Sequence, residues 1–141
     1  MTEAQDRAFD SFEVGEEASF ERTISTDDVA AFAELTGDHN PLHMDDAYAQ
    51  ATNFGSRVVH GMFLAGLVSR LVGMQMPGKR ALLMKESLEF KKPVHIGDRV
   101  HVEGVVTHTS PATHIVELGI QISVKGELVA TGQVQVQVRA E

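Results

Sequence analysis

His60-Gly61-Met62-Phe63-Leu64-Ala65-Gly66-Leu67-Val68-Ser69-Arg70-Leu71-Val72-Gly73-Met74-Gln75-Met76-Pro77-Gly78 is the most apolar stretch of the chain. Over Gly61–Met76 the apolar residues fall on nearly every side of a helical wheel, which predicts a helix buried on most faces. It is too short to span a bilayer, which takes about 18 to 20 apolar residues, and Ser69, Arg70 and Gln75 interrupt it. Pro77-Gly78 stops it. Beyond that point the period changes to two. Leu82, Met84, Leu88 and Phe90 alternate, Val100, Val102 and Val106 do so roughly, Val116, Leu118, Ile120, Ile122 and Val124 do so cleanly, and Val134, Val136 and Val138 follow. Turns at Pro93/Gly97-Asp98, Ser110-Pro111 and Lys125-Gly126 separate four strands.

Upstream, Ala18–Ile24 reads as a modest strand after the Val14-Gly15-Glu16 turn. Ser25 or Thr26 can cap a helix over Asp27–Leu35, with Val29, Phe32 and Ala33 on one apolar face. Gly37 ends that helix. Asp45–Ala51 reads as a second short helix and Thr52–Val59 as a loop. One strand, short helices, a long buried helix and four strands make an α+β fold of the hot-dog kind. In it a curved antiparallel sheet of about five strands wraps a long central helix. Such a sheet has open edges, which a homodimer can pair. The expected organisation is a flexible N-terminus over residues 1–10 and a single domain over 11–141.

Composition narrows the functional classes. Hydrophobic residues make up 43% and charged residues 23%, ordinary for a soluble globular protein. The absence of cysteine excludes disulfides, Cys-ligated zinc and a thiol nucleophile, and fits a cytoplasmic protein. A formal charge of −8, with basic residues thin and scattered, offers no stripe for nucleic acid. No membrane partner is expected.

The chemistry concentrates in Gly37-Asp38-His39-Asn40-Pro41-Leu42-His43. Asp38 and His43 are the best acid/base pair, because histidine titrates near neutrality and a nearby carboxylate can orient it or share a water with it. Asn40 can hydrogen-bond to hold the segment, and Pro41 stiffens it into a loop. Gly61, at the start of the buried helix, can bring its bare N–H close to a ligand where the helix dipole favours negative charge. A thioester carbonyl becoming enolate-like needs such a donor. Asp38, His39, His43 and Asp45 could be read as a metal cluster but lack a clear third-ligand spacing, so neither metal nor cofactor is expected. Ser69 is the lone small hydroxyl of the buried helix, with a bond back to the Ala65 carbonyl as its plain alternative. Met62, Met74, Met76 and Met84 read as core filler or as the lining of an acyl tunnel. His39, His60, His95, His101, His108 and His114 read as surface or strand-face residues.

The Gly-Asp-x-Asn-Pro-Leu-His string, then Val59-His60-Gly61-Met62 and the apolar helix, resembles the MaoC-like dehydratase family, above all its (R)-specific enoyl-CoA hydratases. The resemblance runs from about Phe12 to Val138 and includes Phe90–Asp98. It implies a dimeric hot-dog enzyme that hydrates trans-2-enoyl thioesters to (3R)-hydroxyacyl thioesters, reversibly. Asp38 and His43 match the catalytic pair, Asn40 a supporting residue, Gly61 the backbone donor, and Ser69 a serine that helps place the aspartate. The substrate would be a thioester of CoA or of acyl carrier protein. Two rivals remain: a hot-dog thioesterase that attacks the carbonyl, and a non-catalytic acyl-thioester-binding partner subunit.

Overall fold

The structure, a computed structural model, describes residues 3–141; of the loose terminus expected over residues 1–10, the first two lie outside the described part. The apolar stretch forms helix α4 (Gly61–Arg70), which runs on into a π-wound turn, Leu71–Gln75. The central helix is 15 residues in all, of ordinary length rather than long. It ends where it does because Met76, preceding a proline, is extended (φ −157°, ψ 110°).

The strands are β1 (Glu17–Thr23), β2 (Ala81–Phe90), β3 (Arg99–Ser110), β4 (Ile115–Val124) and β5 (Glu127–Val138). They form one sheet in the order β1-β3-β4-β5-β2, antiparallel at every pairing. The strand before the helices and the strand after them are therefore the two opposite edges. The segment joining them has to cross the face of the sheet, and the central helix lies on that crossing. This is the five-stranded hot-dog arrangement expected from the alternation.

Valines and isoleucines on the inner face meet the helix. Val100, Val102 and Val106 of β3, Leu118, Ile120 and Ile122 of β4 and Val134 and Val136 of β5 share one core with Leu64, Val68, Leu71 and Val72. A depression in the sheet seats the helix. A Cβ at Gly104 of β3 would lie 2.6 Å from Leu71 Cδ2, so any larger residue there would push the leucine from its seat.

β2 departs from clean alternation. A bulge between Leu83 and Lys85 shifts its phase, so Glu86 and Leu88 turn inward while Leu82 and Met84 face outward. Met84 is 56% exposed and Met62 67%, so these two are not core filler, whereas Met76 is buried. At the N-terminal side, Gln5 N–H donates to the Met74 carbonyl at 3.0 Å and Lys79 N–H donates to the Gln5 carbonyl at 2.7 Å. Arg7 pairs with Glu16 at 2.5 Å and lies 4.1 Å over the Phe12 ring.

The Gly104 seat generates a prediction. Gly104→Ala forces a methyl against Leu71 and lowers stability by about 1–3 kcal/mol, the usual cost of overpacking. Gly119→Ala, whose methyl would meet only Thr107 Cγ2 at 3.3 Å, leaves stability nearly unchanged. Urea unfolding of the two variants measures the contrast.

Candidate active site

The loop that carries Asp38 is fixed at both ends by helix caps. Ser25 and Asp28 form a reciprocal capping box at the start of α1 (Thr26–Thr36), and Gly37 ends α1 in the left-handed region at φ 80°. Asp38 Oδ1 accepts the Asn40 N–H at 3.2 Å, and Asn40 Oδ1 accepts the Leu42 N–H at 3.0 Å. The expected stiff loop is in fact half helix. Asn40 N-caps α2 (Pro41–Met44), because a proline at the first helical position has its φ set for a helix and no N–H to leave unpaired. His43 therefore projects from a helical turn. Asp45 then caps α3 (Asp46–Gln50).

A strap of four residues, Arg57 to His60, clamps this turn. Val58 N–H donates to the Leu42 carbonyl at 3.1 Å, and the Val58 carbonyl lies 2.6 Å from His43 Nδ1. A carbonyl only accepts, so Nδ1 carries the proton and Nε2 is left as the free nitrogen. Arg57, its side chain only 11% exposed, donates from Nε to the His43 carbonyl at 2.5 Å. Val59 N–H donates to the Val94 carbonyl at 2.7 Å, tying the strap to the body.

His60 departs from the surface position expected of it. It is 2% exposed, its Nε2 lies 2.9 Å from the Asp38 carbonyl, and its ring stacks on His43 at 4.1 Å and 29°. Phe32 of α1 closes its surroundings with ring centroids 4.8 Å apart. Asp38, His43 and His60 offer ligand atoms within 4.8 Å of one another. The stacking suits a metal poorly. An ion shared by two imidazoles lies near both ring planes, and stacked rings point their lone pairs side by side rather than at a common point.

Gly61 follows directly as the first residue of α4. Its N–H, like those of every first helical turn, has no acceptor within the helix. A Cβ there would stand 3.1 Å from Phe90 Cζ, so the absence of a side chain lets the Phe90 ring close over the helix start. His43, Gly61, Phe54, Phe90, Lys91 and Lys92 are among the residues lining one cleft of about 370 Å³. The cleft thus holds an imidazole at its wall and a helix N-terminus beside it, with the Asp38 carboxylate next to that imidazole.

The chain has relatives among known proteins over nearly its whole length. Residues 11–128 match the family model described as MaoC like domain. The chain belongs to the MaoC-like family. It is 43% identical to the (R)-specific enoyl-CoA hydratase of Aeromonas caviae over 128 residues, 90% of this chain and 96% of that one. It is 39% identical to the 3-hydroxybutyryl-CoA dehydratase of Methylorubrum extorquens over 130 residues, 92% of this chain and 83% of that one. Among solved structures, an (R)-hydratase from A. caviae involved in PHA biosynthesis superposes with a TM-score of 0.89 at 42% identity, covering 92% of this chain and 98% of that one.

Within this MaoC-like chain Asp38, His43, Asn40 and Gly61 come together, and Ser69 does not. Ser69 is exposed and lies eight residues past Gly61, about 12 Å along the helix axis. Its hydroxyl faces a second groove, of about 390 Å³, between α4 and β2, with Met62, Leu83, Glu86, Leu88 and Phe90. Burial raises the Glu86 carboxyl above the ordinary value of 4.5, and its Oε2 has no partner among the described residues. Of the cations that could meet a phosphate, Arg57 is used internally. Lys91 pairs with Glu89 at 3.4 Å, Lys92 with Glu127, and Lys79 with Asp6 at 3.8 Å. Sequence reasoning missed the roles of Arg57 and His60; the spacing of His60 immediately before the helix start was the one visible signal of the latter.

The Arg57 clamp is testable apart from any activity. Arg57→Ala removes a charged donor from the His43 carbonyl and lowers stability by about 1.5–3 kcal/mol. Urea unfolding checks the magnitude. Amide exchange checks that α2 opens first.

Proposed function

We propose that this protein is an (R)-specific hydratase of trans-2-enoyl-CoA thioesters, running reversibly as a 3-hydroxyacyl-thioester dehydratase. The observation that carries the reading is that His43 and Gly61 line one mostly apolar cleft, with the Asp38 carboxylate within 4.8 Å of a His43 ring nitrogen. The names of its relatives support it.

A water held between Asp38 and His43 Nε2 attacks C3 of the enoyl thioester. Asp38 takes one of its protons as the C3–O bond forms and the C2=C3 electrons move toward the thioester carbonyl. The Gly61 N–H, at a helix N-terminus, donates to the oxygen on which negative charge gathers. Proton return to C2, aided by His43, completes the 3-hydroxyacyl thioester with no atom left over. The reaction asks only for side chains, an amide and water. His43 is suited to the task because the Val58 carbonyl keeps its proton on Nδ1, leaving Nε2 to accept from water.

The same reading includes a homodimer. β2 is an edge strand whose outer side pairs with no other strand among the described residues. Met62, Met84 and Phe90, exposed at 67%, 56% and 48%, lie along it or beside it. A second copy covering this surface would bury the Ser69 groove. Ser69 would then support an aspartate across the interface, since its own Asp38 does not line that groove. The single folding unit spans 11–141, and its place is the cytoplasm. No helix of the described residues is long and apolar enough to cross a membrane. The acyl carrier is CoA, with acyl carrier protein as the second candidate.

Three outcomes are expected. With crotonyl-CoA and an eight-carbon enoyl-CoA, wild type bleaches the enoyl-thioester absorbance and yields (3R) product. Asp38→Ala and His43→Ala each lose about 10²–10⁴ in turnover, the span of general acid/base groups. Either variant at near-full activity refutes the assignment, and thiol release from a saturated acyl-CoA turns the reading to a thioesterase. Light scattering finds a dimer for wild type and a monomer for the Met62→Lys, Leu83→Lys double variant.

A further inference from the structure

His60 is the one buried polar side chain of the described residues, and the mechanism above does not use it. Were packing its whole purpose, an apolar ring would serve better. Its Nδ1 has no partner among the described residues, and a buried polar atom left unpaired costs about 1–3 kcal/mol. The other nitrogen is engaged. The Asp38 carbonyl accepts from Nε2 at 2.9 Å, so the proton resides on Nε2. A proton on Nδ1 would be a second buried donor with no acceptor.

The ring does further work on His43. It covers one face of that imidazole at 4.1 Å, while the Val58 carbonyl holds its Nδ1. A ring fixed at its edge and backed on its face has one direction left for Nε2. The backbone of His60 also forms the N-cap of α4. One residue therefore touches the aspartate's loop, the imidazole and the start of the helix that presents Gly61.

We propose that His60 is a positioning residue for this site: its Nε2–H holds the Asp38 carbonyl and its ring backs His43, so that both groups face one water. This rests on the hydratase reading. His60 does not touch the substrate, so its loss should lower kcat and leave KM within about threefold.

The test compares amides of nearly equal size. His60→Gln places an N–H near the position of Nε2 and can still donate to Asp38. His60→Asn places it near Nδ1 and falls short. His60→Phe keeps the stacked ring and loses the donor. We expect Asn and Phe to lose about 10- to 100-fold in kcat, the scale of small misplacement, and Gln to recover most of it. Amide exchange at Asp38–Asn40 should quicken in Asn and Phe and not in Gln. His60→Phe at wild-type kcat, or Gln no better than Asn, overturns the proposal. Should Phe fail to fold, the Gln and Asn pair decides it alone. An inactive wild type would refute the hydratase reading, and the exchange pattern would still judge the positioning role.

Discussion

The seating of Leu71 over Gly104 is the contact on which the rest of the molecule depends. A helix lying on a sheet can slide and rotate unless something breaks the smoothness of the surface. Here the missing side chain at Gly104 leaves a space that Leu71 fills, with Ile120 and Leu118 beside it. Leu64, Val68 and Val72 then fall into line on the same face, each fully buried apolar side chain contributing about 1.5–3 kcal/mol. Once the register of the helix on the sheet is set, the point where its N-terminus emerges is set too. Gly61 is where it is because Leu71, ten residues on, is where it is.

The strap from Arg57 to His60 converts that fixed point into a site. Its residues reach in turn the His43 carbonyl, the His43 ring, the Val94 carbonyl and the Asp38 carbonyl. Three of these bonds hold the backbone or the rear of His43 and Asp38, the groups proposed to react, and the fourth ties the strap to the body. A site held within a fraction of an ångström needs this kind of support, since the carboxylate and the imidazole stand on a loop and a single helical turn. The strap is short and extended, and it is anchored to the body through Val94. It lends two flexible elements the rigidity of the core.

Local patterns carried most of the fold. The all-round apolar run, its Pro-Gly stop, the strand alternation and the Ser25 cap each depend on neighbours a few residues away, and each was legible. The bulge at Leu83–Lys85 was not, because it depends on how β2 meets β5, and it turned Met84 out of the core. The Asp38–His43 string was misjudged as shape, since Asn40-Pro41 serves a helix start as well as a turn. His60 and Arg57 were illegible as functional parts. A histidine's burial and an arginine's partner depend on residues 14 to 28 positions away, and no periodicity marks them. Ser69 was legible as a residue of the buried helix, while the groove it lines, between that helix and β2, depends on how the two elements pack.

His60 also shows how stability and function diverge at one position. Every other buried side chain of the described core is apolar, so the enclosure itself asks for an apolar residue. The imidazole departs from that rule and leaves Nδ1 unpaired in the interior. Departures from local consistency concentrate where geometry serves chemistry. The departure here stands between the two groups whose mutual geometry matters most, bonding to one and stacking on the other. A phenylalanine would supply the stacking without the unpaired nitrogen. What it cannot supply is the N–H that holds the Asp38 carbonyl, and that single bond is the physical reason for a histidine at this position.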